Sequence, residues 1–171
     1  MKILTRKESG GISVHQTLRG QASSIRCIEI SKREQDETSL LFSGGGEYCL
    51  VVWHLSIAQK QCVLAKKFVK RKQADCRVMS VSAIPLNRNE PVTSSLHLLI
   101  LGMSNSYVEV IGYNPTTRDF TILANLSNHY GPLLCTKYIP VVHDDKTLHY
   151  VITASTDGRL LFWEFSSLIE L

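Results

Sequence analysis

No stretch of this 171-residue sequence stays apolar for long. The longest mostly apolar run, Leu96 to Met103, is broken by His97 and falls well short of the about 20 residues that a membrane-spanning helix requires. Met1 to Glu8 turn charged before an apolar core of about 7 to 15 residues can form, which argues against a secretory leader. Together these absences predict a cytoplasmic location and no membrane insertion. Cysteine is sparse and odd in number: Cys27, Cys49, Cys62, Cys76 and Cys135 include no two within ten positions of each other. That spacing fits neither a disulfide framework nor a zinc cluster, so the five are expected to be reduced packing residues.

Signatures of chemistry are also missing. Gly44-Gly45-Gly46 is followed by no Lys-Ser/Thr at phosphate-loop spacing and by no helix start, and reads instead as a turn, glycine being the default where φ is positive. Asp144-Asp145, near His143 and His149, reads as a solvated loop, since no further ligand pattern surrounds it. The six histidines contain no i, i+4 pair, and no Gly-x-Ser-x-Gly is present. The expectation is a protein that is not an enzyme, with no catalytic residue, metal site or cofactor of its own. No segment of 10 to 18 residues repeats apolar positions at i, i+3, i+4, i+7 between caps, so helices crossing between strands have little support.

What is present is an ordinary globular composition, 44% apolar and 20% charged, carrying an internal repeat. Leu41 to Trp53 aligns without gaps on Leu99 to Ile111 and on Val151 to Trp163, at offsets of 58 and 52 residues. Each window reads apolar run, short polar turn, apolar run, the pattern of a strand pair. Asp157-Gly158 predicts a two-residue type I′ turn with φ positive at both centres. A β-rich segment precedes each window (Ile25 to Ile30, Val78 to Leu86, Leu133 to Val141), and another follows two of them (Cys62 to Val69, Phe120 to Leu126). The chain therefore reads as all-β, with four-stranded units at about 20–70, 72–127 and 129–167, and an extra strand at Ile12 to Leu18. The third unit stops before its fourth strand.

Four-stranded units of this kind, with His129, Thr153, Asp157 and Trp163 at their places in the third, resemble the WD-repeat β-propeller family. The resemblance implies a structural hydrogen-bond chain through those four side chains, and an altered one in the first unit through Gln21, Ser43, Glu47 and Trp53. In the second unit Leu101 and Ile111 replace the Ser/Thr and Trp, with Asn105 in the turn, which implies a blade held by apolar packing. About three blades are fewer than the 4 to 8 of a closed propeller, so a partial propeller, part of a larger one, is expected.

The second half, from Arg77-Val78-Met79-Ser80-Val81 through Asn128-His129-Tyr130 to Ala154 through Trp163, is further similar to the C-terminal blades of WD-repeat proteins that regulate tRNA wobble-position 2′-O-ribose methyltransferases. This implies a non-catalytic regulatory subunit whose partner is the methyltransferase catalytic subunit, with tRNA as a possible second partner. Propellers also serve as general docking platforms, for example as ubiquitin-ligase substrate receptors, and that alternative rests on fold alone. The two readings differ in RNA. Six of the 19 basic residues and none of the 15 acidic ones fall within residues 60–72, so the whole net charge of +4 comes from this segment. Lys60, Lys66, Lys67, Lys70, Arg71 and Lys72 could meet phosphates there, or could equally be a solvated loop whose lysines blunt an edge strand.

Overall fold

The apolar runs become strands and the polar interruptions become tight turns. The structure, a computed structural model, describes residues 1–21, 23–56, 58–70, 75–87, 89–144 and 146–169. β1 (Lys2–Arg6) and β2 (Ile12–Thr17) form an antiparallel hairpin. β3 (Ile25–Ser31), β4 (Thr38–Gly45), β5 (Cys49–Ser56) and β6 (Gln61–Val69) form a four-stranded sheet in chain order. β7 (Val78–Pro85), β8 (His97–Met103), β9 (Tyr107–Asn114) and β10 (Asp119–Ser127) repeat it. β11 (Leu133–His143), β12 (Lys146–Ser155) and β13 (Leu160–Glu164) form a three-stranded version, followed by one helical turn, α1 (Ser166–Ile169). All-β architecture in successive antiparallel meanders is thus what the repeat encodes, and the sheets are three consecutive propeller-type blades. β1 has no counterpart in the sequence reading, because Lys2-Ile3-Leu4-Thr5-Arg6 is short and bounded by charge.

The blades stack with their first strands side by side, β3 against β7 and β7 against β11. Period-two alternation then divides each sheet between two cores. Leu40, Phe42, Leu50 and Val52 of the first blade point forward into one core, which Val81, Leu99, Leu101 and Ile111 enter from the second. Leu98, Ile100, Val108 and Val110 point forward from the second blade into another core, met by Leu133, Val151 and Trp163 of the third. Because β4 and β8 are covered on both faces, they read as continuous apolar runs without alternation.

Two turns differ from their expected geometry. Gly44 and Gly45 lie within β4, and positive φ falls instead on Glu47 (57°) and Tyr48 (44°). The glycines are required by close approach: a Cβ on Gly44 would sit 2.5 Å from Val78 Cγ1, and one on Gly45 would sit 2.0 Å from the Ser24 carbonyl oxygen. In the turn between β12 and β13 only Gly158 has positive φ (79°), and its N–H donates to the Ser155 carbonyl at 3.2 Å. Thr156 and Asp157 therefore occupy the centre of the turn and Gly158 the left-handed position after it, a three-residue loop in place of the type I′ turn.

Candidate functional site: the blade hydrogen-bond chains and the basic rim

In the third blade the turn places Asp157 under the start of β11, and strand pairing brings Thr153 of β12 beside Trp163 of β13. The Asp157 carboxylate accepts from the backbone N–H groups of Tyr130 (2.8 Å) and Arg159 (2.9 Å) and contacts His129 Nδ1 at 3.1 Å. Thr153 Oγ1 lies 2.8 Å from His129 Nε2 and accepts the Trp163 indole N–H at 2.8 Å. One proton arrangement satisfies every group: His129 donates from Nδ1 to the carboxylate and accepts the threonine hydroxyl at Nε2. Burial alone would raise the Asp157 carboxyl, but the N–H groups of Tyr130 and Arg159 and the His129 ring hold it down at about 2. It therefore stays an acceptor at every physiological pH.

The first blade builds the same chain from different parts. Trp53 Nε1 donates to Ser43 Oγ at 2.9 Å, and Ser43 donates to Gln21 Oε1 at 3.0 Å. Gln21 stands in for histidine because its amide also accepts at one end and donates at the other, here to the Cys49 carbonyl at 3.3 Å. Glu47 does not take the place of the aspartate. It is exposed at a left-handed turn position, no hydrogen bond joins it to Gln21, and the backbone carbonyl of Cys49 ends the chain. In the second blade Leu101 and Ile111 are fully buried, Asn105 is exposed, and the hydroxyl of Ser104 ties the turn to the Arg77 N–H at 2.9 Å.

The basic residues divide between solvent and structure. Lys60, at the turn into β6, and Lys66 and Lys67, on that strand, are exposed. β6 is the outer strand of its sheet, and successive residues alternate sides, so Lys66 and Lys67 flank the rim instead of sharing a face. Lys70 is removed from the candidate RNA contacts. Its ammonium meets both carboxylate oxygens of Glu109, at 3.0 and 2.9 Å, and lies 4.7 Å from the centroid of the Tyr48 ring. This is a bridge from the first blade to the second, and it uses the charge that a phosphate would need. Desolvation pushes the Glu109 carboxyl up, to about 7, and Lys70 down, while the attraction between the two charges opposes both shifts. Arg71 and Lys72 lie outside the described residues.

Sequence reasoning missed Glu109, although a signal existed: it aligns with Val51 and Leu161, both apolar, so an acid there asks for a buried partner. His97 was missed in the same way. Its Nδ1 donates to the Ser95 carbonyl at 2.8 Å and its Nε2 accepts from Ser31 of the first blade at 3.0 Å, and burial pushes the ring down to about 4, keeping it neutral. His143 and Asp144 form an exposed pair at 3.1 Å. Asp145 lies outside the described residues, among which no group of three or more His, Cys, Asp or Glu side chains is placed to hold a metal ion.

Antiparallel meanders of four, four and three strands stacked through their first strands, with a His-Thr-Trp-Asp chain in the three-stranded one, resemble the blades of WD-repeat propellers. Among solved structures the chain is similar to the one described as "Crystal structure of the Saccharomyces cerevisiae Sqt1", at 12% identity and a TM-score of 0.37, over 94% of this chain and 65% of that one. The chain thus spans 65% of the length of that protein. No protein-family model and no curated protein sequence matches it.

Proposed function

We propose that this chain is a non-catalytic WD-repeat scaffold that supports 2′-O-methylation of a tRNA wobble nucleotide by a separate, cytoplasmic methyltransferase subunit. The reading rests on the sequence resemblance of the second half, and the observation that carries its RNA side is the exposure of Lys60, Lys66 and Lys67 along one outer rim. The methyl-transfer cofactor would belong to the partner. Lysines on flexible stems act as point charges and suit phosphates better than base edges, so binding along this rim would be strong in salt dependence and weak in sequence preference.

Two measurements test the reading. Mapping ribose methylation in cellular tRNA after removal of the protein is expected to show loss at the wobble position. Unchanged methylation would eliminate the methyltransferase role and leave the general docking platform, for instance a ubiquitin-ligase substrate receptor. The triple variant Lys60→Ser, Lys66→Ser, Lys67→Ser is expected to weaken tRNA binding and to flatten the slope of log affinity against log salt by about 0.7 to 0.9 for each phosphate that is no longer neutralised. Its stability should stay within about 0.5 kcal/mol of the parent, because all three side chains are exposed. An unchanged affinity and slope would return the rim to a solvated edge.

A further inference from the structure

We infer that Tyr130 and Arg159 form a stacking platform for one unpaired nucleotide of RNA, the ring taking the base and the guanidinium the adjoining phosphate. This deepens the RNA side of the proposed function and rests on it, adding a contact on the third blade to the lysine rim of the first. Tyr130 lies in the loop that enters β11 and is 78% exposed, and Arg159, also exposed, directly precedes β13. The two meet at one end of the blade: the guanidinium carbon lies 4.7 Å from the centroid of the tyrosine ring.

One carboxylate fixes the backbone of both. Asp157 accepts from the N–H of Tyr130 at 2.8 Å and from that of Arg159 at 2.9 Å, so the two side chains rise from a single anchored point. The residues on either side of Tyr130 are held as well. His129 is tied through its ring to Asp157 and Thr153. The Gly131 carbonyl accepts from Ser155 Oγ at 2.8 Å, and a Cβ on Gly131 would sit 2.4 Å from Thr156 Oγ1. An exposed ring on so fixed a backbone has little order left to acquire when a ligand binds, which favours affinity.

The chemistry selects a nucleotide. A guanidinium covers only one face of the ring, and at 78% exposure the ring keeps room for a base on the other. Among the described residues no carboxylate forms an ion pair with Arg159, so its charge is free for an anion. An acidic peptide would use the cation and leave the ring idle, whereas a nucleotide uses both, its phosphate matching the planar donors of arginine. Arg77 extends the path. Ser104 N–H donates to the Arg77 carbonyl and Thr156 N–H to the Pro132 carbonyl, both at 3.0 Å, which puts exposed Arg77 at the same end of the adjacent blade, in line for a neighbouring phosphate. Blades meet through the faces of their sheets, so a platform at strand ends requires no bare face.

The test uses a single-stranded RNA of about eight nucleotides carrying one 2-aminopurine, whose fluorescence falls when that base stacks on a protein ring. The parent chain is expected to quench it. Tyr130→Ala should bind about 5- to 150-fold more weakly and lose the quenching, while Tyr130→Phe should match the parent because the ring is what stacks. Arg159→Gln should keep part of the quenching and flatten the slope of log affinity against log salt by about 0.7, one phosphate on a single strand. All three should keep the parent's circular dichroism, since Asp157 bonds backbone N–H groups that the substitutions leave in place. Unchanged affinity and quenching in Tyr130→Ala overturns the platform; if Lys60→Ser, Lys66→Ser, Lys67→Ser still weakens binding, the proposed RNA role stands without it. A glutamate peptide of equal length that displaces the RNA at equal concentration also overturns it, and makes the surface one for acidic protein. A parent that binds neither this RNA nor tRNA removes the RNA side of the proposed function and the platform with it.

Discussion

Thr153→Val is expected to destabilise the protein by about 2 to 4 kcal/mol, read as a lower urea midpoint at unchanged slope. Valine keeps the volume and branching of threonine, so no cavity opens and β12 keeps its pairing. What disappears is the single oxygen that serves two buried groups, the indole N–H of Trp163 and Nε2 of His129, each at 2.8 Å. An unpaired buried polar group costs about 1 to 3 kcal/mol, and here one substitution orphans two. Thr153→Ser should restore most of the loss, because the hydroxyl is the component required. The matched change in the first blade, Ser43→Ala, should cost less. Gln21 is only half-buried there, so its amide can turn to water once the serine is gone. A Thr153→Val protein within 0.5 kcal/mol of the parent would show that the chain through His129 does not hold the blade.

The strands were legible in the sequence because their cause is local. An apolar run between polar turns sets each hairpin, and gapless alignment of three windows sets the register to within a residue or two. The third-blade chain was legible because its four members are the residues a WD-repeat blade places there. Less legible were features decided between blades. Gly44 and Gly45 looked like turn residues, yet the approach of Val78 and Ser24 decides them, and neither lies nearby in sequence. Glu47 looked like the end of the first-blade chain because it aligns with Asp157, yet the substitution of glutamine for histidine moved the final acceptor to a backbone carbonyl. His97 bonds Ser31 across 66 positions, a pairing that no periodicity in one strand can announce. The basic segment shows the same limit: six cations within residues 60–72 read as one patch, but pairing with Glu109 separates Lys70 from the rest.

That separation predicts that the lysines of residues 60–72 differ sharply when replaced. Lys66→Met should leave stability within about 0.5 kcal/mol of the parent, whereas Lys70→Met should cost about 2 to 3 kcal/mol at pH 8. Removing one partner of a fully buried pair costs about 3 to 5 kcal/mol, and the figure is reduced here because the Lys70 side chain is 20% exposed and partly screened. The loss must also depend on pH. Without the ammonium nothing opposes the desolvation that pushes the Glu109 carboxyl up, so the folded variant binds that proton more tightly than either the parent or the unfolded chain. A group raised in this way contributes its stability below the unfolded value and loses it as pH rises through the folded one. The deficit of Lys70→Met should therefore be small at acid pH, where Glu109 is protonated in both proteins, and grow as pH rises and the carboxyl ionises in the parent but is held protonated in the variant. Adding Glu109→Gln removes the stranded charge, so the double variant should regain most of the stability at pH 8 and lose the pH dependence. If Lys70→Met matches Lys66→Met at pH 8, the ion pair contributes nothing to joining the first two blades, and Lys70 returns to the set of residues available to a phosphate.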